Sequence, residues 1–224
     1  MLFNVFSDAE KFSDLLKVML TGILPTVRIF GFTILLSIPL GILLAAGRVS
    51  KVKILRMPIS VYIYLIRSTP LMLQLLFFYF GLPYIPVIGP HLAMGRFTTA
   101  CVAFTLNYAA YFCEIFRGGI KSIDRGQYEA AQVLGLSKVS TLVKIILPQM
   151  IRVAIPAVCN EAVNLVKDTA LVTTLGVADL MHMTKSQVNS LSNVMPFGIA
   201  AVIYMIIIFG LTKLFAYIER KTTY

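Results

Sequence analysis

Charged side chains are scarce in this sequence. They make up 13% of 224 residues, and only ten residues are acidic, against 58% hydrophobic residues and a mean hydropathy of +0.84. A soluble domain of this length needs far more polar surface, so that class is excluded. The long apolar runs mark an integral membrane protein built of helices rather than a barrel. Cysteine is also rare. Cys101, Cys113 and Cys159 all lie in apolar runs and form no CxxC or metal-ligand spacing, so they read as packing residues. The two histidines, His91 and His182, fall in expected outer loops and suggest no metal site. No GxxxxGK[ST] loop is present, which excludes ATP binding by the chain itself in that manner. There is no internal repeat, low-complexity segment or second domain. Residues 1–17 lack the basic start of a secretory signal. Their apolar residues (Phe3, Val5, Phe6, Phe12, Leu15, Leu16) alternate with Asp8, Glu10, Lys11, Asp14 and Lys17, which predicts an interfacial helix on the outer face.

What charge there is carries information. A net charge of +10 in a soluble chain would suggest nucleic acid. In a membrane protein the positive-inside rule accounts for it, and no nucleic-acid partner is expected. Spans are predicted at about 23–46, 57–80, 97–117, 151–175 and 195–217. Arg48, Lys51, Lys53 and Arg56 follow the first span without an acid and mark that loop as cytoplasmic. Arg117, Lys121, Arg125, Lys138, Lys144 and Arg152 mark the segment after the third span likewise, and Glu219-Arg220-Lys221 ends the chain inside. The fold class is therefore an all-α integral membrane protein with five transmembrane helices, amino terminus outside and carboxyl terminus inside. Residues 219–224 form a cytoplasmic tail. Pro70 is expected to bend the second span, and Arg67 sits either near the inner interface or deeper, according to where that helix begins. Residues 81–95, with prolines at 83, 86 and 90, and the polar residues 177–194 are expected outside.

One polar, basic island lies among these spans, within the predicted cytoplasmic loop 121–148. Asp124 is placed to cap a helix, with Gln127 as its capping-box partner. Gly135 can take the left-handed conformation that ends it. Ser137 is placed to cap a second helix, which Pro148 closes. Two short helices meeting at a glycine corner, with Ala130, Ala131, Val133, Leu134 and Leu136 around it, suit docking into a cleft of another protein. The run Glu129-Ala130-Ala131, Gly135, Ile145 and Leu147-Pro148 resembles the EAA loop of the permease subunits of ABC importers, complete in residues and spacing. In that family this loop couples to the ATPase, which would assign Glu129, Ala130, Ala131, Leu134, Gly135 and Leu136 to that contact. The bland alternative is an ordinary capped hairpin between two spans. RSTPLMLQLLFFYFGLP and the stretches 107–137 and 156–172 are similar to the polar amino acid branch of that family, and the resemblance covers about residues 20–218.

Ionisable groups within a span cost roughly 2.5–3.5 kcal/mol each at its centre, so they need partners or a purpose. On the fourth span Asn160, Glu161, Asn164, Lys167 and Asp168 fall on an arc of about 120°. On the third, Asn107, Tyr111 and Glu114 share a face within about 60°. Two polar faces on successive spans could line one cavity for a zwitterion. Carboxylates and amide oxygens would hold an ammonium, and a helix end or amide donors would hold a carboxylate. Glu114, Glu161 and Asp168 outnumber Lys167, which favours a basic amino acid. Glu114 and Asn160-Glu161 also belong to the pattern of the amino acid branch, where they occur with several polar substrates. The competing structural reading pairs these groups as glue between helices, Lys167 with a carboxylate first.

The resemblance implies a type I importer fold and a non-enzymatic transport subunit in the bacterial cytoplasmic (inner) membrane. Its partners would be a second permease subunit, two ABC ATPase subunits and an extracytoplasmic amino-acid-binding protein, within the lipid bilayer. No cofactor is expected in this chain, since ATP and Mg would be bound by the ATPase. The main alternative is a proton- or sodium-coupled secondary transporter with Glu161, Lys167 and Asp168 as a relay. It would leave the EAA corner unexplained, and a passive channel would require polar stripes that spans one and five lack.

Overall fold

The structure, a computed structural model, describes residues 9–223. The first eight residues of the expected interfacial segment, and Tyr224 of the expected tail, lie outside the described residues.

The described residues are helical almost throughout. Helix α1 (Ala9–Thr21) packs Leu15 and Met19 against Leu180, Ala200 and Ile203. Gly22 links it to α2 (Ile23–Val49), and a Cβ there would come within 2.6–2.7 Å of the Asp179–Leu180 backbone, so only glycine admits this approach. The buried residues of α2 recur at helical spacing: Ile29, Thr33, Ser37, Gly41 and Ala45. This stripe of mostly small side chains lets α2 lie close along α6 (Arg96–Ser122). At Gly41 an added Cβ would stand 2.7 Å from the Phe112 Cβ. Helix α6 is the centre of the molecule. Ala100, Ala103, Phe104, Tyr108, Phe112 and Cys113 on it are all buried, and Ile63, Leu75, Met150 and Leu165 from other helices join the same core.

Between α2 and α6 the expected second span is two helices, α3 (Lys53–Arg67) and α4 (Leu71–Leu76). A π-helical turn, Phe77–Gly81, and a 3-10 turn, Leu82–Tyr84, continue α4, and the two halves meet at 106°. A bend was expected at Pro70; a break this sharp was not. Beyond it, one short helical turn, α5 (Gly89–Leu92), precedes α6, so the proline-rich stretch holds no long helix.

After α6 come α7 (Arg125–Val133) and α8 (Lys138–Thr141). A π-helical turn, Leu142–Ile146, then runs straight into α9 (Leu147–Asp168). Pro148 therefore does not close the second helix of the loop, as the sequence suggested. It occupies the second position of α9, where a missing N–H costs little, and the π turn before it absorbs the ring. Helix α9 passes into a 3-10 segment, Thr169–Leu175, that ends at left-handed Gly176. The polar stretch 177–194 holds a helix of its own, α10 (Leu180–Leu191), capped by the buried Asp179. Helix α11 (Met195–Thr223) is the last of the described helices. Four helical stretches are long and apolar enough to cross a membrane, and the α3–α4 pair makes a fifth if it counts as one broken span.

Candidate functional site

The break between α3 and α4 is built by its own polar residues. Pro70 has no N–H to give to the carbonyl of Ile66, four residues back. The Gln74 side chain replaces it, with Nε2 donating to Ile66 O at 2.8 Å, Thr69 O at 3.1 Å and Thr69 Oγ1 at 2.8 Å. Asn107 Nδ2 on α6 donates to Gln74 Oε1 at 2.9 Å, which ties the break to the central helix.

Beside the break lies a cavity of about 570 Å³. Thr69, Pro70, Leu71 and Met72 form one wall, Asn107, Tyr108 and Tyr111 of α6 a second, and Glu161, Asn164, Lys167 and Asp168 of α9 a third, with Leu171 beyond them. The two polar helix faces do meet in one space. Asp168 Oδ2 accepts from the Tyr108 hydroxyl at 2.7 Å. Among the described residues no salt bridge joins Lys167 to either carboxylate, so the expected structural pair is not formed. Tyr108 and the Thr69–Met72 wall are cavity residues that the sequence does not point to, Pro70 being legible only as a bend. Tyr108 falls on the apolar side of α6 by sequence, and only the broken helix brings Thr69–Met72 to α6.

Glu114 and Asn160 do not line this cavity. Asn160 is exposed on α9, one turn before Asn164. Glu114 lies two turns along α6 from Asn107 and is held by arginines from three helices. Arg117 Nη2 stands 2.6 Å from its Oε2, Arg48 Nε 3.4 Å from its Oε1, and Arg67 Nη1 3.9 Å from its Oε2. The expected pairing of Glu114 and Glu161 across one site is thus not what the structure holds. Sequence spacing put Glu114 on the correct face and Arg117 one turn from it, but Arg48 and Arg67 reach it from α2 and α3. Tyr111 separates the two polar zones, with Arg67 Cζ 5.2 Å from its ring centroid.

The loop that resembles the EAA sequence forms a glycine corner. Asp124 caps α7, accepting from Gly126 N at 2.6 Å. Gln127 does not complete a capping box; its Oε1 accepts from Gln149 Nε2 at 3.2 Å and so binds α7 to α9. Gly135, at φ +71°, closes the helix in a Schellman arrangement. Leu136 N donates to Ala131 O and Gly135 N to Gln132 O, each at 3.0 Å. Ser137 caps α8, accepting from Ser140 N at 3.2 Å. Ala131 is buried, Leu136 half-buried, and Glu129, Ala130 and Gly135 are exposed. Val133 and Leu134 at the corner are 88% and 75% exposed, a large apolar exposure for a polar segment.

Residues 37–224 match the family described as binding-protein-dependent transport system inner membrane component. The chain belongs to that family. It is 38% identical over 209 residues, 90% of its length and 88% of the relative's, to the histidine/lysine/arginine/ornithine transport system permease protein HisM of Salmonella typhimurium. It is 34% identical over 218 residues, 97% of its length and 98% of the relative's, to the putative glutamine transport system permease protein GlnP of Rickettsia conorii. An amino acid ABC transporter crystallised with histidines superposes with a TM-score of 0.85 at 30% identity, over 96% of this chain and 98% of that one. The inward-facing MetNI methionine ABC transporter shares the fold, with a TM-score of 0.73 at 19% identity over 97% of this chain and 100% of that one. These relatives are permease subunits and not enzymes, and the chain is a multi-pass membrane protein of their kind.

Proposed function

We propose that the chain is the permease subunit of an ATP-driven ABC importer for polar amino acids, with basic ones preferred. The observation that carries the preference is the cavity beside the α3–α4 break. It presents Glu161 and Asp168 against the single cation Lys167, with Asn107, Asn164 and Tyr111 as neutral hydrogen-bonding groups. In a low-dielectric surrounding that balance favours a ligand bearing one positive charge more than a neutral zwitterion. The ammonium groups would meet Glu161 and Asp168. The carboxylate would meet Lys167 or the first-turn amides at Leu71 and Met72, which have no acceptor within their own helix.

The rest of the assembly follows from the same reading. One chain walls only part of a pathway, so two permease chains would close it, as a homodimer or a pair of homologues. Two ATPase subunits would receive the corner formed by Glu129, Ala130, Leu134 and Gly135, with Ala131 and Leu136 packed beneath it. A binding protein would deliver substrate from the outer side of the bacterial cytoplasmic membrane. ATP closing the ATPase dimer would draw the corners together and turn the spans outward. The amino terminus would lie outside, a reading that the basic loops support and that labelling of Lys51→Cys and Lys138→Cys from the cytoplasmic side alone would bear out.

The test is uptake of a labelled amino acid panel into proteoliposomes containing the assembled importer. ATP-dependent uptake with arginine, lysine or histidine competing best is expected. Uptake driven by a proton or sodium gradient without ATP would overturn the importer reading. A glutamine importer is the second reading, favoured by the name of the Rickettsia relative. Preference for glutamine over arginine would select it.

A further inference from the structure

A second cavity, of about 660 Å³, opens at the other side of the arginine cluster. Its lining includes Arg48, Arg56, Arg117, Lys121 and Arg125, five cations from α2, α3, α6 and α7, and no carboxylate. Glu114 lies behind it and engages Arg48 and Arg117. Asp124, next to Arg125, is committed to the α7 cap. Among the described residues no salt bridge reaches Arg56, Lys121 or Arg125. A solvated belt of positive charge would splay such side chains apart. Here four helices gather them around one concave space, Arg48 and Arg117 half-buried and Arg56, Lys121 and Arg125 exposed at its rim, where a bound anion would relieve their mutual repulsion. The forked donors of arginine suit phosphate oxygens in particular.

The level of this cavity in the membrane narrows the source of that phosphate. Helices α2 and α6 have 27 residues each. At about 1.5 Å per residue each is ~40 Å long, against a hydrocarbon core of about 30 Å. The cavity is lined by the last turns of both, Arg48 and Val49 on α2 and Arg117 to Lys121 on α6. It therefore sits at the depth of the lipid head groups.

We propose that this cavity binds a phosphate-bearing anion, with the head group of an anionic phospholipid in the adjoining leaflet as its source. The site is separate from the substrate cavity and independent of which amino acid is carried. Held there, the phosphate would bridge α2, α3 and α6 to the start of α7, so the position of the exposed corner would depend on the lipid.

The full chain, purified with its importer partners, is titrated with phosphatidylglycerol and with phosphatidylcholine of the same acyl chains, and bound lipid is counted by native mass spectrometry. Selective retention of phosphatidylglycerol is expected. The triple variant Arg56→Gln, Lys121→Gln, Arg125→Gln breaks no salt bridge and should weaken it by on the order of a hundredfold, at about fivefold per charge. A control that removes three charges outside the cavity, Lys51→Gln, Lys53→Gln, Lys138→Gln, should retain it. Displacement by millimolar inorganic phosphate at constant ionic strength would keep the phosphate site but assign it to a soluble source. Should the triple variant fold poorly, Lys121→Gln alone gives the same reading at the single-charge level. Equal loss in the control, or undiminished retention in the folded triple variant, would overturn the proposal. So would loss of the ATPase subunits with lipid binding intact, which would make the cavity a protein interface.

Discussion

Gln74 Nε2 donates at 2.8 Å to the carbonyl of Ile66, the acceptor that the imide nitrogen of Pro70 leaves without a donor. One side chain thus stabilises the sharpest feature of the molecule, and its oxygen receives the Asn107 amide that borders the candidate site. Gln74 is buried, so Gln74→Leu would strand the Ile66 carbonyl and one Asn107 donor together. The expected cost is about 1–3 kcal/mol for each stranded group. A lowered melting temperature and weaker substrate binding should appear together in the purified variant. A variant with wild-type values of both would mean that the break is set by Pro70 alone.

Gly135 offers a cleaner test of the corner. A Cβ there meets nothing within 4 Å, so Gly135→Val introduces no clash. What it introduces is a β-branched residue at φ +71°. The conformational cost is about 1–2 kcal/mol, enough to shift the corner without unfolding the spans. The subunits should still assemble, while substrate-stimulated ATP hydrolysis and uptake fall. Gly135→Asn should retain most activity, because asparagine tolerates the left-handed region. Normal ATPase stimulation in Gly135→Val would remove the corner from the coupling path.

The contrast between these two sites shows what sequence can convey. The α7 corner is local. Asp124, Gly135 and Ser137 each act on a backbone within a few residues, and each was legible. Spans of one helix were legible for the same reason, since hydropathy is a property of consecutive residues. The 106° break was not, because Pro70 predicts a bend but its angle depends on Gln74 reaching back eight residues and on Asn107 across a helix interface. The polar faces of α6 and α9 were correct as faces. Arg117, three residues on from Glu114, is a partner that helical spacing encodes, but Arg48, sixty-six residues away in sequence, is one that no periodicity encodes. Pro148 reads as a helix breaker from sequence, but the π turn before it lets the helix continue.

Asp179 gives the protein a pH dependence outside the spans. It is fully buried, and burial pushes its carboxyl up to about 6 even though it accepts from Met181 N and His182 N, at 3.1 and 3.0 Å. An acid whose folded pKa lies above its unfolded value binds more protons when folded. Stability is therefore greatest below about pH 4 and falls as pH rises toward 6, by about 3 kcal/mol at most, and is level above that. His182 on α10 and the Tyr204 hydroxyl of α11 face the same group. Asp179→Asn keeps one acceptor for the cap and should flatten this part of the profile. Melting temperatures measured from pH 4 to 7 for both proteins check it, and an unchanged slope in the variant would assign the titration elsewhere.

Variants of Glu114 and Glu161 would separate a structural role from the proposed substrate-binding one. Both are carboxylates on polar helix faces, and they differ in their surroundings. Glu114 is neutralised by Arg48, Arg67 and Arg117. Glu161 lies in the cavity wall with no salt bridge among the described residues. Glu114→Gln would leave three arginines facing one another. A fully buried pair broken this way costs about 3–5 kcal/mol, but the Arg67 side chain is 43% exposed, so about 2 kcal/mol is expected after screening. The melting temperature should drop, while the ratio of arginine to glutamine affinity stays the same. Glu161→Gln should do the reverse. Losing one charge-assisted hydrogen bond, about 1.5–3 kcal/mol, would weaken arginine binding by roughly tenfold to a hundredfold. Glutamine binding should change less, and the removal of an unpaired charge should leave stability equal or higher. Calorimetry with both amino acids and thermal melts on the two variants supply all four quantities. If Glu161→Gln leaves the arginine preference untouched in a folded protein, the carboxylates of α9 do not select the substrate.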